Sequence, residues 1–258
     1  MIRVVALVAV SLLLVAIGYV GISHALMRAH VDDRGFGAAL REALRELLWV
    51  ILIQPLLPVY FFVGRRMGRS GRGPPVIFVH GYFQNRADFV YLARELRRHG
   101  IGPLFAINYV WLQSVEQCTR ALGRFIDAVR RETGATQVDL VTHSLGGLLA
   151  VHYLAHEGGR EHVRRCVTVA TPHRGVAYRG PILGRVRHVV RRGHGVSPLP
   201  DVPFLGVYST HDNVVFPADT AHAESPAAEN VVVPGVGHLA ILFAPETAQA
   251  VIRFLSKR

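Results

Sequence analysis

Val138-Asp-Leu-Val-Thr-His-Ser-Leu-Gly-Gly147 is the stretch that decides the fold. Its first half is apolar and β-branched, as in a buried strand, and an apolar helical pattern follows from Leu145 to His156. A strand that runs directly into a helix forces a sharp turn and exposes Ser144 above the sheet. The N–H groups of the first helical turn favour negative charge at the same place. The stretch therefore indicates a nucleophilic Ser144, with an ordinary serine that caps a helix after a strand as the alternative.

The turn departs from the consensus Gly-x-Ser-x-Gly at its first position, where Thr142 replaces glycine. Threonine is β-branched and is expected to crowd a tight turn more than glycine does. Gly146 and Gly147 supply the small neighbours that the turn needs. The local motif alone therefore leaves Ser144 a candidate that depends on partners elsewhere in the chain.

A nucleophilic serine needs a general base, and the base needs an acid that orients it. With this turn, the order along the chain is serine, acid and histidine, and the histidine follows the last strand. Asp212 follows an apolar strand at Phe204–Tyr208, and His238 lies in a glycine-rich loop after a strand at Asn230–Val233. We therefore predict a catalytic triad of Ser144, Asp212 and His238.

Three residues compete for these roles. Asp201 precedes the strand that should carry the acid, and Asp219 lies further into the following loop. His211 is a rival base, but its position next to Asp212 predicts that it points elsewhere.

Acyl transfer also needs two N–H donors for the oxyanion. The residue after the nucleophile, Leu145, is expected to supply one. The turn His80-Gly81-Tyr82 follows the first core strand, and we expect the N–H of Tyr82 to supply the other. The alternative is that His80-Gly81 is a plain turn.

Short apolar runs alternate with helical patterns throughout residues 74–258. Continuous apolar strands in such an alternation predict an α/β fold with a mostly parallel sheet covered by helices on both faces. The predicted strands are Val76–His80, Pro103–Asn108, Val138–Thr142, Val163–Ala170, Phe204–Tyr208 and Asn230–Val233. The predicted helices are Ala87–His99, Val115–Glu132, Leu145–His156 and Glu246–Leu255.

The N-terminal segment from Val4 to Ile22 is apolar and uncharged. Its length as a helix is about 28 Å, close to the thickness of a bilayer's hydrocarbon core. A cleaved signal peptide is the alternative, but Ser23-His24-Ala25 is a poor cleavage site. We predict an uncleaved transmembrane anchor at 1–23.

Residues 24–73 contain an amphipathic helical pattern, a second apolar stretch from Leu47 to Val63, and a basic linker that ends in Arg69–Pro75. The second stretch is interrupted by Pro55 and Pro58. It is either a kinked second transmembrane helix, which would place both ends in the cytoplasm, or a segment that lies in the interface or packs on the domain 74–258.

The formal net charge of +11 predicts contact with an anionic surface. Phospholipid is favoured over nucleic acid because no basic stretch interleaves with stacking aromatics. Residues 173–200 are rich in arginine and carry no acidic residue, so they are either a lid-like insertion that presses on anionic lipid or a solvated surface helix. We expect no cofactor and no metal site, because the histidines do not form a close ligand cluster. The cysteines, Cys118 and Cys166, are expected to be buried free thiols, with one disulfide as the alternative.

Four motifs resemble the bacterial lipase and esterase branch of the α/β-hydrolase superfamily: Val76-Ile-Phe-Val-His-Gly-Tyr82, Thr142-His-Ser-Leu-Gly-Gly147, Ser209-Thr-His-Asp-Asn-Val-Val215 and Val236-Gly-His-Leu239. The resemblance covers residues 74–258, and the compact size is similar to that of smaller triacylglycerol lipases. It implies a serine hydrolase of carboxylic esters in which Ser144, His238 and Asp212 form the triad and the Tyr82 and Leu145 amides are the oxyanion donors. Combined with the predicted N-terminal anchor, which the resemblance does not cover, it leads us to expect lipid-like acyl esters as substrate and a bacterial inner membrane as location. An acyltransferase, a thioesterase and a catalytically silent binding module remain alternatives, and the side of the membrane is open.

Overall fold

A computed structural model describes residues 2–31, 35–61, 65–68, 71–178, 182–196, 199–225 and 227–257. The helices are α1 (Ile2–Val31), α2 (Phe36–Ile53), α3 (Val90–Arg98), α4 (Val115–Thr133), α5 (Leu145–His156), α6 (Gly159–His162), α7 (Arg187–Arg192) and α8 (Pro245–Ser256). The strands are β1 (Arg66–Gly68), β2 (Val76–Val79), β3 (Leu104–Ile107), β4 (Val138–His143), β5 (Val163–Val169), β6 (Phe204–Tyr208) and β7 (Ala228–Val232). Short 3-10 helices lie at Gln54–Phe61, Arg86–Phe89, Ala218–Ala221 and Ala240–Phe243.

The seven strands form one sheet in the order β1-β3-β2-β4-β5-β6-β7. All neighbouring pairs are parallel except β1 with β3. Strand β4 therefore lies at the centre of the sheet, and its carboxyl end carries Ser144. This confirms the predicted α/β class and the mostly parallel sheet.

Each face of the sheet has its own apolar core. Val76 and Phe78 of β2 point to one face, where α3 and α8 pack, whereas Ile77 and Val79 point to the other, beneath α4 and α5. Because successive residues of a strand point to opposite faces, a strand buried on both must be apolar throughout. All four residues of β2 are fully buried.

The sequence-based boundaries differ from the structure in a few places. The segment predicted as the helix Ala87–His99 begins with a 3-10 turn at Arg86–Phe89, and α3 starts after it. The side chain of Asn85 caps this 3-10 turn by accepting a hydrogen bond from Ala87 N. Strand β1 has no counterpart in the sequence interpretation, because three residues of pattern Arg-Met-Gly carry no strand signal. It forms the antiparallel edge of the sheet directly before the predicted linker Arg69–Pro75, of which Arg69 and Ser70 lie outside the described residues.

Helix α1 has two different halves. In the N-terminal half, large apolar side chains including Leu7, Leu14 and Val15 are exposed, whereas Val20, His24 and Met27 in the C-terminal half are buried against the rest of the chain. Among the described residues, Val10–Val31 is the one helical stretch long and apolar enough to cross a membrane.

The second apolar stretch packs on the sheet domain. Val50 and Ile53 of α2 are buried in the same core as β2, and the Trp49 ring stacks on Phe243 with centroids 3.8 Å apart. At Gln54 the chain turns into a 3-10 helix, and Leu56 O accepts a hydrogen bond of 2.9 Å from Asn85. Residues at the start of this stretch therefore contact the sheet domain, as the packing alternative expects; Val63 lies outside the described residues.

Candidate active site

The chain turns sharply at Ser144, between β4 and α5. Ser144 has φ 52° and ψ −122°, a conformation that is strained for any residue with a side chain. Its N–H donates to Val169 O at 2.9 Å, and its carbonyl accepts from Thr171 Oγ1 at 3.1 Å. A Cβ at Gly146 would lie 2.6 Å from His80 O, so the helix can approach β2 only with glycine at this position. These contacts hold the serine in the position predicted from the sequence.

Thr142 fits this turn without crowding it. Its side chain is fully buried, and its hydroxyl donates to Val167 O of β5 at 2.9 Å. The hydroxyl thus adds a cross-strand bond inside the sheet, two residues before the strained position. The crowding expected from the consensus mismatch is therefore not seen.

Ser144, His238 and Asp212 meet at the carboxyl edge of the sheet. The hydroxyl of Ser144 lies 3.0 Å from His238 Nε2, and His238 Nδ1 lies 2.8 Å from Asp212 Oδ2. The other carboxylate oxygen, Oδ1, accepts from the N–H groups of Val214 and Val215, each at 2.8 Å. All three predicted triad side chains are thus joined in one line of hydrogen bonds.

The site is nearly closed to water but keeps the serine accessible. Ser144 is 8% exposed, His238 9% and Asp212 2%. Burial lowers the pKa of His238, but the charge and hydrogen bond of Asp212, together with the charge of Glu46, outweigh it and raise that pKa above its ordinary value. The imidazole is therefore a stronger proton acceptor than a free histidine.

The three rival residues lie in other surroundings. His211 Nδ1 lies 2.7 Å from Thr210 Oγ1 and accepts from Gly235 N at 3.3 Å. Asp219 forms an ion pair with Arg174 at 3.0 Å, and Asp201 is exposed at the surface.

The predicted oxyanion donors lie on both sides of Ser144. Leu145 is the first residue of α5, where backbone N–H groups have no acceptor within the helix. Tyr82 follows β2 after Gly81, whose added Cβ would lie 2.9 Å from Ser144 Cβ, so this turn closely approaches the serine. The Tyr82 side chain bonds to Leu183, since its hydroxyl donates to Leu183 O at 3.1 Å and accepts from Leu183 N at 3.0 Å.

Several residues at the site were not predicted from the sequence. Asn213 Oδ1 accepts from His238 N at 2.9 Å, and His143 Nε2 lies 3.0 Å from His238 O. Gln84 Oε1 accepts from Gly81 N at 2.7 Å and lies 2.7 Å from His143 Nδ1. Burial holds the pKa of His143 well below its ordinary value. Adjacency to the triad residues was the available signal for Asn213 and His143; nothing in the sequence pointed to Glu46, which contacts the same loop from helix α2.

The arginine-rich segment 173–200 is less helical than its pattern suggests. Helix α7 spans six residues, and Val186 before it is buried while Val189 and Val190 are half-buried. Arg174 pairs with Asp219 and Glu224 rather than standing free. Arg179 lies outside the described residues, as do residues 180–181 and 197–198. The contact of Leu183 with Tyr82 places part of this segment beside the oxyanion turn.

Comparison with known proteins identifies the fold family. A sequence model described as alpha/beta hydrolase fold matches residues 74–183, which include both the oxyanion turn and Ser144. The sheet order and this match together show that the chain has the α/β-hydrolase fold. The chain is 30% identical over 154 residues to a triacylglycerol lipase of Burkholderia plantarii, a match covering 52% of the chain and 41% of the relative. It is 34% identical over 110 residues to a triacylglycerol lipase of Pseudarthrobacter phenanthrenivorans, covering 39% and 34% respectively.

A solved structure supports the fold as well. A lipase of Bacillus licheniformis, in its propeptide form, superposes with a TM-score of 0.62 at 17% identity, covering 74% of this chain and 53% of the lipase chain. The matches span less than half the length of the two curated relatives. The two curated relatives confirm the resemblance to bacterial lipases, and the solved structure confirms the fold.

Cys118 and Cys166 are both buried and free. Within the part of the chain that the structure describes, no cluster of three or more histidine, cysteine or carboxylate side chains is arranged to hold a metal ion.

Proposed function

We propose that this α/β-hydrolase is a membrane-anchored serine hydrolase that cleaves carboxylic esters with lipid-like acyl chains. The observation that carries the proposal is the line of hydrogen bonds from Ser144 through His238 to Asp212, with distances of 3.0 and 2.8 Å. Those distances lie within the range in which a base can take a proton from a nucleophile. A binding module has no need of this arrangement.

The proposed reaction follows from the roles of these groups. Ser144 Oγ attacks the ester carbonyl and forms a new C–O bond, while its proton passes to His238 Nε2. The N–H groups of Tyr82 and Leu145 are proposed to stabilise the resulting oxyanion. Collapse of the tetrahedral intermediate breaks the ester C–O bond, and the alcohol leaves with the proton held by His238. Water, deprotonated by His238, then attacks the acyl-enzyme and releases the acid together with free Ser144.

Exposed apolar side chains around the oxyanion turn favour an acyl-chain substrate. Phe83, Val110, Leu112 and Leu183 are all between 43% and 64% exposed. The half-buried ring of Trp111 lies between Tyr82 and Phe83, at centroid distances of 4.7 and 5.1 Å. Contiguous exposed apolar surface commonly marks a binding region for lipid or ligand. This surface adjoins the oxyanion turn and supports the proposal that the acyl chain of an ester held at Ser144 binds there.

The anchor is proposed from the two halves of α1. The N-terminal half presents apolar side chains that need a nonpolar surrounding, and we propose that this half enters the bilayer. The C-terminal half is packed and hydrogen-bonded to the domain, which supports an anchor that stays attached over a cleaved signal peptide. The bacterial relatives favour the bacterial inner membrane as its location.

A hydrolysis profile tests the proposal. Detergent-solubilised wild type and Ser144→Ala would be assayed against p-nitrophenyl esters from acetyl to palmitoyl. We expect hydrolysis that depends on Ser144 and is fastest with medium or long chains. Ser144-dependent activity confined to acetyl and butyryl esters would contradict the lipid-like substrate, and activity that survives in Ser144→Ala would contradict the nucleophile.

A further inference from the structure

Helix α2 inserts a carboxylate into the loop that carries His238. Glu46 is 1% exposed, and its Oε1 accepts from Leu239 N at 2.9 Å while its Oε2 accepts from Ala240 N at 2.8 Å. An isolated buried carboxylate is costly, and two backbone N–H donors are the usual means of stabilising one. Each oxygen of Glu46 therefore has a donor from the two residues that directly follow His238.

The same carboxylate also contacts the residue before His238. A Cβ placed on Gly237 would lie 2.6 Å from Glu46 Cδ, so the backbone approaches the carboxylate as closely as glycine allows. The loop is thus held from Gly237 to Ala240 by one side chain. A rigid backbone on both sides of His238 fixes the direction of its imidazole toward Ser144.

Helix α2 is itself firmly seated. One turn and two turns after Glu46, the side chains of Val50 and Ile53 are buried in the core, and Trp49 stacks on Phe243 at an interplanar angle of 10°. The support for Glu46 is therefore a packed helix rather than a mobile loop.

Glu46 also acts on His238 through charge. The ionisable side chains of Asp212 and His143 face the imidazole from the loop after β6 and the end of β4, and Glu46 faces it from α2. Burial raises the pKa of Glu46, and the N–H groups of Leu239 and Ala240 and the charge of His238 offset part of that rise. The negative charge of Glu46 in turn contributes to the raised pKa of His238. A carboxylate here favours the imidazolium that forms when Ser144 loses its proton.

We propose that Glu46, on a helix outside the region matched by the hydrolase family, is a positioning residue that orients His238 through the backbone of Leu239 and Ala240 and stabilises its protonated form. This inference rests on the proposed function. It means that residues 36–53 complete the active site in addition to connecting it to the anchor.

The test compares the rate of Ser144 labelling by a fluorophosphonate in full-length wild type, Glu46→Gln and Glu246→Gln. Glutamine keeps the shape of Glu46 but removes its charge and one of two acceptors. Glu246, exposed at the start of α8, is a matched control that removes a carboxylate six residues beyond Ala240. The rate constant reports the reactivity of the folded fraction, whereas the final extent of labelling reports how much protein is folded.

We expect Glu46→Gln to be labelled about tenfold to hundredfold more slowly, because a small displacement of a catalytic group costs up to about a hundredfold. The pH at which the labelling rate rises should also move lower, since His238 loses a charge that raises its pKa. Glu246→Gln should match wild type in both. Should Glu46→Gln fail to fold, Glu46→Asp keeps the charge and shortens the reach, and we expect a slower rate with the wild-type pH dependence.

A Glu46→Gln rate constant within twofold of wild type, or a pH dependence that does not move, would overturn the proposal. The same holds if only the extent of labelling falls, because that result means loss of folded protein alone. If wild type itself is not labelled at Ser144, the proposed hydrolase function fails first; if wild type is labelled and Glu46→Gln behaves identically, the role of Glu46 fails alone.

Discussion

Asn213 donates a hydrogen bond of 2.7 Å from its side-chain amide to Ser23 Oγ of helix α1. The carbonyl oxygen of the same amide accepts from His238 N at 2.9 Å. Because Asn213 directly follows Asp212, one side chain connects the acid loop, the histidine loop and the N-terminal helix. The proposed anchor is therefore bonded to a residue that adjoins the triad.

Substitution Asn213→Ala should destabilise the protein more than Ser23→Ala. The first leaves the buried N–H of His238 without this acceptor, at a cost of about 1–3 kcal/mol, whereas the second removes one part-buried bond worth about 1 kcal/mol. Thermal unfolding of the detergent-solubilised variants measures both costs. Equal melting temperatures for the two variants would contradict the bridging role of Asn213.

Asp212→Asn tests the acid and the pH dependence together. We expect kcat/KM to fall by roughly 10⁴, the size of effect known for the equivalent change in serine proteases. The general base must be neutral, so kcat/KM rises as pH rises through the pKa of His238. Burial lowers the pKa of His238, but the charge and hydrogen bond of Asp212 outweigh this effect and raise it. Removing the charge of Asp212 should therefore move the rising limb of the pH–rate profile to lower pH. A pH–rate profile checks both, and a loss of less than tenfold would argue for another acid.

Trp49→Ala tests whether α2 is part of the folded domain. The stacked ring of Phe243 loses its partner, and aromatic pairs contribute about 0.5–1.5 kcal/mol beyond the area that they bury. A loss of about 1 kcal/mol lowers the melting temperature by about 2–4 °C in a domain of this size. An unchanged melting temperature would instead fit a segment that lies in the membrane away from the domain.

Thr142→Ala tests the departure from the consensus turn. The change removes the bond to Val167 O inside the sheet and should cost about 1 kcal/mol of stability. Activity should stay within a few-fold of wild type, because contacts other than this bond keep Ser144 in its strained conformation. Calorimetry and ester hydrolysis separate the two effects. A large gain in activity would mean that threonine does hinder the turn.

Much of the fold could be predicted from local pattern. Strands buried on both faces are continuous apolar runs, helix α4 is strongly amphipathic, and helix α5 is apolar along most of its length. Their bounds were therefore predicted to within a residue or two. Strand β1 could not be predicted, since three residues at a sheet edge are defined by their partner β3 rather than by their own sequence. The position of α2 likewise depends on tertiary contacts that a hydropathy pattern cannot specify.

The residues of the candidate site also fall into those that the sequence predicts and those that it does not. Ser144, Asp212 and His238 could be proposed because chain order after successive strands constrains where such residues lie. Glu46 could not, because it is 193 positions from the amide that it binds and looks like any charged residue of an amphipathic helix. Only the packing of α2 on the loop 237–240 shows that this carboxylate is buried.

Fluorophosphonate labelling followed by peptide mass spectrometry tests the central claim most directly. Folded wild type should carry the label on Ser144, Ser144→Ala should carry none, and His238→Ala should react far more slowly because the serine has lost its base. Absence of label on folded wild type, or equal labelling of Ser144→Ala, would contradict the assignment of this α/β-hydrolase as a serine hydrolase.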